Sequence, residues 1–177
     1  MSQRTNPDYI IQGEYRISNR SDCILTTLLG SCVSACIWDP AIGIGGMNHF
    51  LLPGEDEKPT HDAERIGVHL MELLVNGLLR EGASRGRLQA KLFGGANMNT
   101  SLADIGARNA QFARHFLRHE GIPVLGESLG GFHARKVQFW PTSGRARQMQ
   151  VPNDLSTMET RRVVFPEMAA TGDVELF

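Results

Sequence analysis

The chain carries no excess of either charge: 18 Lys plus Arg stand against 19 Asp plus Glu, a formal net charge of −1. That balance provides no general electrostatic attraction to nucleic acid or an anionic membrane, which points instead to a protein partner or a small substrate. No apolar run approaches the roughly 18–20 residues of a membrane span, and the amino terminus, MSQRTNPDYI, lacks the apolar core of a signal peptide. A soluble, cytoplasmic protein is expected. Cysteine is scarce too: Cys23, Cys32 and Cys36 are an odd set of three that fits no closed disulfide framework and suits a reducing compartment. On one strand, Cys32 and Cys36 would lie about 13 Å apart at ~3.3 Å per residue, beyond the reach of a disulfide. Internal repeats and low-complexity tracts are also missing.

What is present is an ordinary globular mix, 41% hydrophobic and 21% charged over 177 residues, enough for one domain with a full core. Residues 9–18 and 23–28 read as strands. Residues 32–38 and 44–52 read as a hairpin turning through Asp39-Pro40-Ala41-Ile42-Gly43. Both alternating sets of that hairpin are apolar, so both faces of its sheet should be covered. Helical spacing of Ile66, Leu70, Leu73, Leu74 and Leu78 predicts a helix over 62–80, and that of Ile105, Phe112, Ala113, Phe116 and Leu117 a second over 104–120. Strands are expected at 87–93 and 122–127, with a second hairpin over 132–151 turning at Thr142-Ser143-Gly144. The fold class is therefore α/β, a single layered domain of mainly antiparallel strands with two long helices. It should occupy residues 1–151, followed by a mobile or loosely docked tail over 152–177.

Chemistry concentrates at Leu29-Gly30-Ser31-Cys32-Val33, where glycine and a small residue let a substrate approach a cysteine at the start of a strand. If residues 39–42 form a four-residue loop, Trp38 pairs with Gly43 and the register sets Cys32 directly opposite His49, within reach of ordinary rotamers. A thiol needs such a partner, because a free cysteine is mostly protonated at neutral pH. Unpaired cysteines are also commonly buried small hydrophobes, and that reading is kept for Cys23 and Cys36. His115 and His119, four apart on a helix, have no third ligand or HExxH glutamate, so no metal site is expected. The glycine-rich segments lack a GxxxxGK[ST] context and are read as turns. Asn109, near the inner stripe of the second helix, is expected to hydrogen-bond a neighbouring loop.

The run Leu29-Gly30-Ser31-Cys32-Val33, then Trp38-Asp39-Pro40, then Gly45-Gly46-Met47-Asn48-His49-Phe50-Leu51-Leu52-Pro53 resembles the signature of the CheD family of chemoreceptor glutamine deamidases. So do Gly94-Gly95-Ala96-Asn97-Met98, Ile105-Gly106-Ala107-Arg108-Asn109, and Gly130-Gly131 with Ala134-Arg135; together they span roughly residues 10–150. The resemblance implies Cys32 as nucleophile, His49 as general acid and base, and Thr26 as the third catalytic residue, accepting the imidazole N–H. Thr27 is expected to face the other way. It further implies hydrolysis of glutamine amides on methyl-accepting chemoreceptors with release of ammonia, no cofactor or metal, and a CheC-type chemotaxis phosphatase as a second partner. Oxyanion donors are expected from Gly30, Ser31 and Cys32 or from the Gly94-Gly95 loop. Two other readings share these residues: a non-catalytic regulatory binding protein, and a cysteine peptidase or methylesterase differing only in the leaving group.

Overall fold

The structure, a computed structural model, describes residues 7–53, 60–98, 105–152 and 174–177. Among the described residues, ten strands form two five-stranded sheets, and two α-helices cover one of them. In chain order the strands are β1 (Asp8–Tyr9), β2 (Tyr15–Ser18), β3 (Leu25–Leu29), β4 (Val33–Asp39), β5 (Ile44–Asn48), β6 (Gln89–Gly94), β7 (Val124–Leu129), β8 (Ala134–Trp140), β9 (Arg145–Val151) and β10 (Val174–Leu176). The helices are α1 (Thr60–Arg80), between β5 and β6, and α2 (Ile105–His119), between β6 and β7. One sheet has the order β1-β3-β8-β9-β10 and the other β2-β5-β4-β6-β7. Most neighbours are antiparallel; β1 with β3 and β6 with β7 are parallel.

Alternation along β4 builds both cores. Val33, Ala35 and Ile37 join Leu70, Met71, Leu74, Ala113 and Leu117 beneath the helices, while Cys32, Cys36 and Trp38 join Leu25, Leu29, Phe93, Val137 and Phe139 between the sheets. This is why apolar residues occur on both faces of the first hairpin: its sheet is the middle layer. The β8–β9 hairpin instead has one solvated face, and β9 alternates exposed arginines with buried Ala146 and Gln148.

Three sequence expectations are corrected. Residues 9–18 are not one strand: β1 belongs to one sheet and β2 to the other, and the chain crosses between them through residues 10–14. The crossing bends at Gly13, whose φ of +87° L side chains rarely adopt, and is closed by Glu14 N–H to the Ile11 carbonyl and Ile11 N–H to the Glu14 carboxylate. The first hairpin is also shifted by two residues. Asp39 pairs with Ile44 and Trp38 with Gly45, so the loop is residues 40–43 and the position opposite His49 is Ser34, not Cys32. Asp39 is what moves the turn inward. Its buried carboxylate accepts from Ala41 N–H, Ser84 N–H and the Arg87 guanidinium, holding it in the strand rather than in the loop. The third correction concerns Thr26 and is taken up with the site. Of the tail expected over 152–177, residues 153–173 lie outside the described residues. Residues 174–176 pair with β9, and Phe177 exchanges two backbone hydrogen bonds with Ala146 and packs edge-on against Phe93.

Candidate active site

Cys32 and His49 share the inter-sheet face of the middle sheet. Val33 and Phe50 exchange both backbone hydrogen bonds, which sets Cys32 and His49 on the same face as diagonal neighbours. Diagonal positions are ~7–8 Å apart at the backbone, a span that a ring and a thiol side chain bridge. The two-residue shift preserves strand parity, so the predicted face holds although the predicted direct opposition does not. Both residues are buried, Cys32 at 1% and His49 at 4% exposure.

The hydroxyl that meets the His49 ring comes from the opposite sheet, and it is that of Thr27, not of Thr26 as expected. Leu25, Thr27 and Leu29 point into the inter-sheet layer, and Thr27 Oγ1 lies 2.8 Å from His49 Nδ1. Thr26 has the opposite parity; it is buried, and its hydroxyl has no hydrogen-bond partner among the described residues. The Thr27 hydroxyl also lies 2.7 Å from the Ile10 carbonyl. A carbonyl cannot donate and a hydroxyl has one proton, so Thr27 donates to Ile10, and its lone pair accepts from His49 Nδ1–H. The neutral imidazole is thereby held with Nε2 as its basic nitrogen, and Nε2 is buried with no partner among the described residues.

Burial pushes the His49 pKa down from 6.5 to about 4, so the resting imidazole is neutral at physiological pH. The folded pKa lies below the unfolded value, so this residue's contribution is fully present above pH 6.5 and is lost as pH falls toward about 4. Such a shift corresponds to about 3 kcal/mol. Denaturant unfolding at neutral and mildly acidic pH is expected to show a steeper loss of stability for the unaltered protein than for His49→Gln. Nitrogen NMR should show Nδ1 protonated and Nε2 bare between about pH 5 and 7.

The turn that carries Cys32 is clamped from behind. Ala96 N–H donates to the carbonyl of Gly30, Asn109 Nδ2 to that of Ser31 and Gly95 N–H to that of Cys32, at 2.8–2.9 Å. Asn109 bridges further, accepting from Leu52 N–H at 2.9 Å, and so joins the cysteine turn to the segment after His49, as its place on α2 predicts. Gly94 and Gly95 have φ of +107° and +64°, and a Cβ on Gly94 would overlap the Cys32 carbonyl. The Gly94-Gly95 loop is thus a backbone clamp, in which Gly95 N–H is engaged by the Cys32 carbonyl. Arg135, buried and held by the carbonyls of Ser128 and Gly130, braces the loop whose Gly130 N–H meets the Gly94 carbonyl. The sequence predicts the loop hydrogen bonds of Asn109, whereas the roles of Gly95 and Arg135 show in it only as parts of glycine and polar motifs.

The other two cysteines are structural. Cys36 is fully buried between the sheets, where desolvation pushes its thiol pKa far upward, and burial raises that of Cys23 as well. No group of three metal-ligating side chains occurs among the described residues, and His115 and His119 are exposed on α2. No helix among them is long and apolar enough to cross a membrane.

The fold and site together define a two-sheet α/β protein with a buried cysteine and histidine between its layers. The family model described as CheD chemotactic sensory transduction matches residues 51–150. A protein of Agrobacterium fabrum named "Probable chemoreceptor glutamine deamidase CheD" is 54% identical over 96% of this chain and 95% of its own length. Proteins of the same name from Rhizobium leguminosarum bv. trifolii and Caulobacter sp. are 58% and 53% identical, over 88% and 96% of this chain and 84% and 92% of their own. The chain belongs to the CheD family. Among solved structures, a Neisseria meningitidis protein of the DUF152 family model is 11% identical with a TM-score of 0.46, covering 70% of this chain and 64% of that one.

Proposed function

We propose that this protein hydrolyses glutamine side-chain amides of methyl-accepting chemoreceptors to glutamate in the cytoplasm, with Cys32 as nucleophile, His49 as general acid and base and Thr27 as the residue that orients the imidazole. The observation that carries the reading is the chain of hydrogen bonds from His49 Nδ1–H to Thr27 to the Ile10 carbonyl. It leaves a basic Nε2 on the face that bears Cys32, and the names of the relatives supply the substrate class.

The steps follow from these positions. His49 Nε2 takes the Cys32 proton as sulfur attacks the amide carbon, and returns it to the departing ammonia. The resulting thioester is then hydrolysed by water that the same nitrogen deprotonates. Peptide planarity sets the N–H groups of Ser31 and Cys32 trans to the clamped carbonyls of Gly30 and Ser31, facing away from the clamp, so this turn is assigned the tetrahedral oxyanion. The family resemblance adds a CheC-type phosphatase as a regulatory partner.

Incubation with a chemoreceptor cytoplasmic domain, followed by mass spectrometry, tests the reading. The expected results are glutamine-to-glutamate conversion at particular receptor sites and, after acid quench, a receptor thioester on the Cys32 peptide. Receptor that stays unconverted while binding this protein would favour a non-catalytic regulatory role instead.

A further inference from the structure

Cys32 is 1% exposed, so an incoming glutamine cannot touch its sulfur unless a group above it moves. The group hydrogen-bonded to that sulfur from the solvent side is itself a primary carboxamide: Cys32 Sγ–H donates to Oε1 of Gln12 at 3.8 Å. Gln12 is exposed, at the tip of the crossing between β1 and β2. The backbone on either side of it is fixed to the catalytic residues. Ile10 accepts the Thr27 hydroxyl, Gly13 N–H donates to the His49 carbonyl at 2.8 Å, and His49 N–H donates to the Glu14 carbonyl at 3.0 Å. The side chain of Gln12 is therefore held over the thiol by a stiff loop, yet is free at its outer surface to swing into water.

We propose that Gln12 is the resting occupant of the carboxamide subsite, an internal competitor that a substrate glutamine must displace to reach Cys32. The inference rests on Cys32 being the nucleophile. The geometry protects the chain's own glutamine: attack requires the amide carbon to face sulfur and the amide oxygen to face the oxyanion donors, whereas Gln12 presents its oxygen to the thiol. Gln12 thus selects for glutamines held by enough surrounding receptor surface to displace it, and excludes free carboxamides that have only the side-chain group to offer.

Two measurements test this on the full chain. The first is the rate at which iodoacetamide alkylates Cys32, read by mass spectrometry of the Cys32 peptide in the unaltered protein, Gln12→Ala and Gln12→Glu. Gln12→Ala is expected to alkylate several-fold faster. In Gln12→Glu the new carboxylate opposes thiolate formation, so its alkylation profile should move to higher pH, a change that simple loosening of the loop would not produce. The second is receptor deamidation, where Gln12→Ala should lower KM with kcat little altered. Unchanged alkylation in both variants, or a raised KM in Gln12→Ala, would overturn the proposal. Faster alkylation in Gln12→Ala together with no receptor conversion by the unaltered protein would leave the occupancy of the thiol standing and remove the deamidase reading, so the two failures are distinguishable.

Discussion

Cys32→Ala is expected to lower receptor deamidation by about four orders of magnitude or more, to the level of the uncatalysed reaction, because no other group can form the covalent intermediate. Neither remaining cysteine can substitute. Cys36 faces the same layer but is enclosed on all sides with its thiol held strongly protonated, and Cys23 lies before β3 beside Asp8. Cys32→Ser tests the chemistry more narrowly, since it keeps a nucleophilic atom at nearly the same place. A serine hydroxyl is far harder to deprotonate than a thiol, and the His49 imidazole, with a pKa of about 4, is a weak base. Cys32→Ser is therefore expected to be nearly as inactive as Cys32→Ala. Loss of one small buried side-chain atom should cost about 1 kcal/mol, so both variants should fold, as thermal unfolding would show. Appreciable conversion by Cys32→Ala would exclude a thiol mechanism.

The second large effect separates two adjacent threonines. Thr27→Val is nearly isosteric but strands both the His49 Nδ1–H and the Ile10 carbonyl, and it releases the imidazole to adopt the other tautomer, in which Nε2 carries the proton. A rate loss of about 10²–10⁴-fold is expected, along with about 1–3 kcal/mol of stability from the orphaned buried groups. Thr27→Ser keeps the hydroxyl and should retain most activity, which distinguishes proton orientation from packing. Thr26→Val removes a hydroxyl that has no partner among the described residues, so its stability should hold or rise and its activity should stay near that of the unaltered protein. The reverse pattern, with Thr26→Val inactive and Thr27→Val active, would transfer the orienting role to Thr26.

The threonine assignment also marks where sequence reading stopped. In β3, Leu25-Thr26-Thr27-Leu28-Leu29, nearly every residue of both parities is buried, so alternation cannot say which threonine faces His49. The family resemblance points to Thr26, whereas packing across the sheets brings Thr27 to His49, and a single sequence does not contain that packing. The hairpin register failed for a related reason: Asp39 reads as a turn residue until Arg87, 48 positions later, is seen to hold it in the strand. The shift was by two, so the functional face survived the error. The helices, governed by local periodicity, were read almost to their ends. The crossing at residues 10–14 is not legible because its residues suit a strand as well as a loop, and the contact of exposed Gln12 with the Cys32 thiol is hidden with it.

The hydrogen-bond chain across the two sheets has a consequence for how the protein comes to life after synthesis. Cys32 and His49 belong to one hairpin and can adjoin each other early, but the threonine and the Ile10 carbonyl that choose the imidazole tautomer arrive only when the other sheet closes over them. A half-assembled chain would hold a thiol and an imidazole side by side with no preferred direction of proton flow. A fixed direction of proton flow thus exists only once the inter-sheet layer is sealed, so the last step of folding is also the step that sets the tautomer.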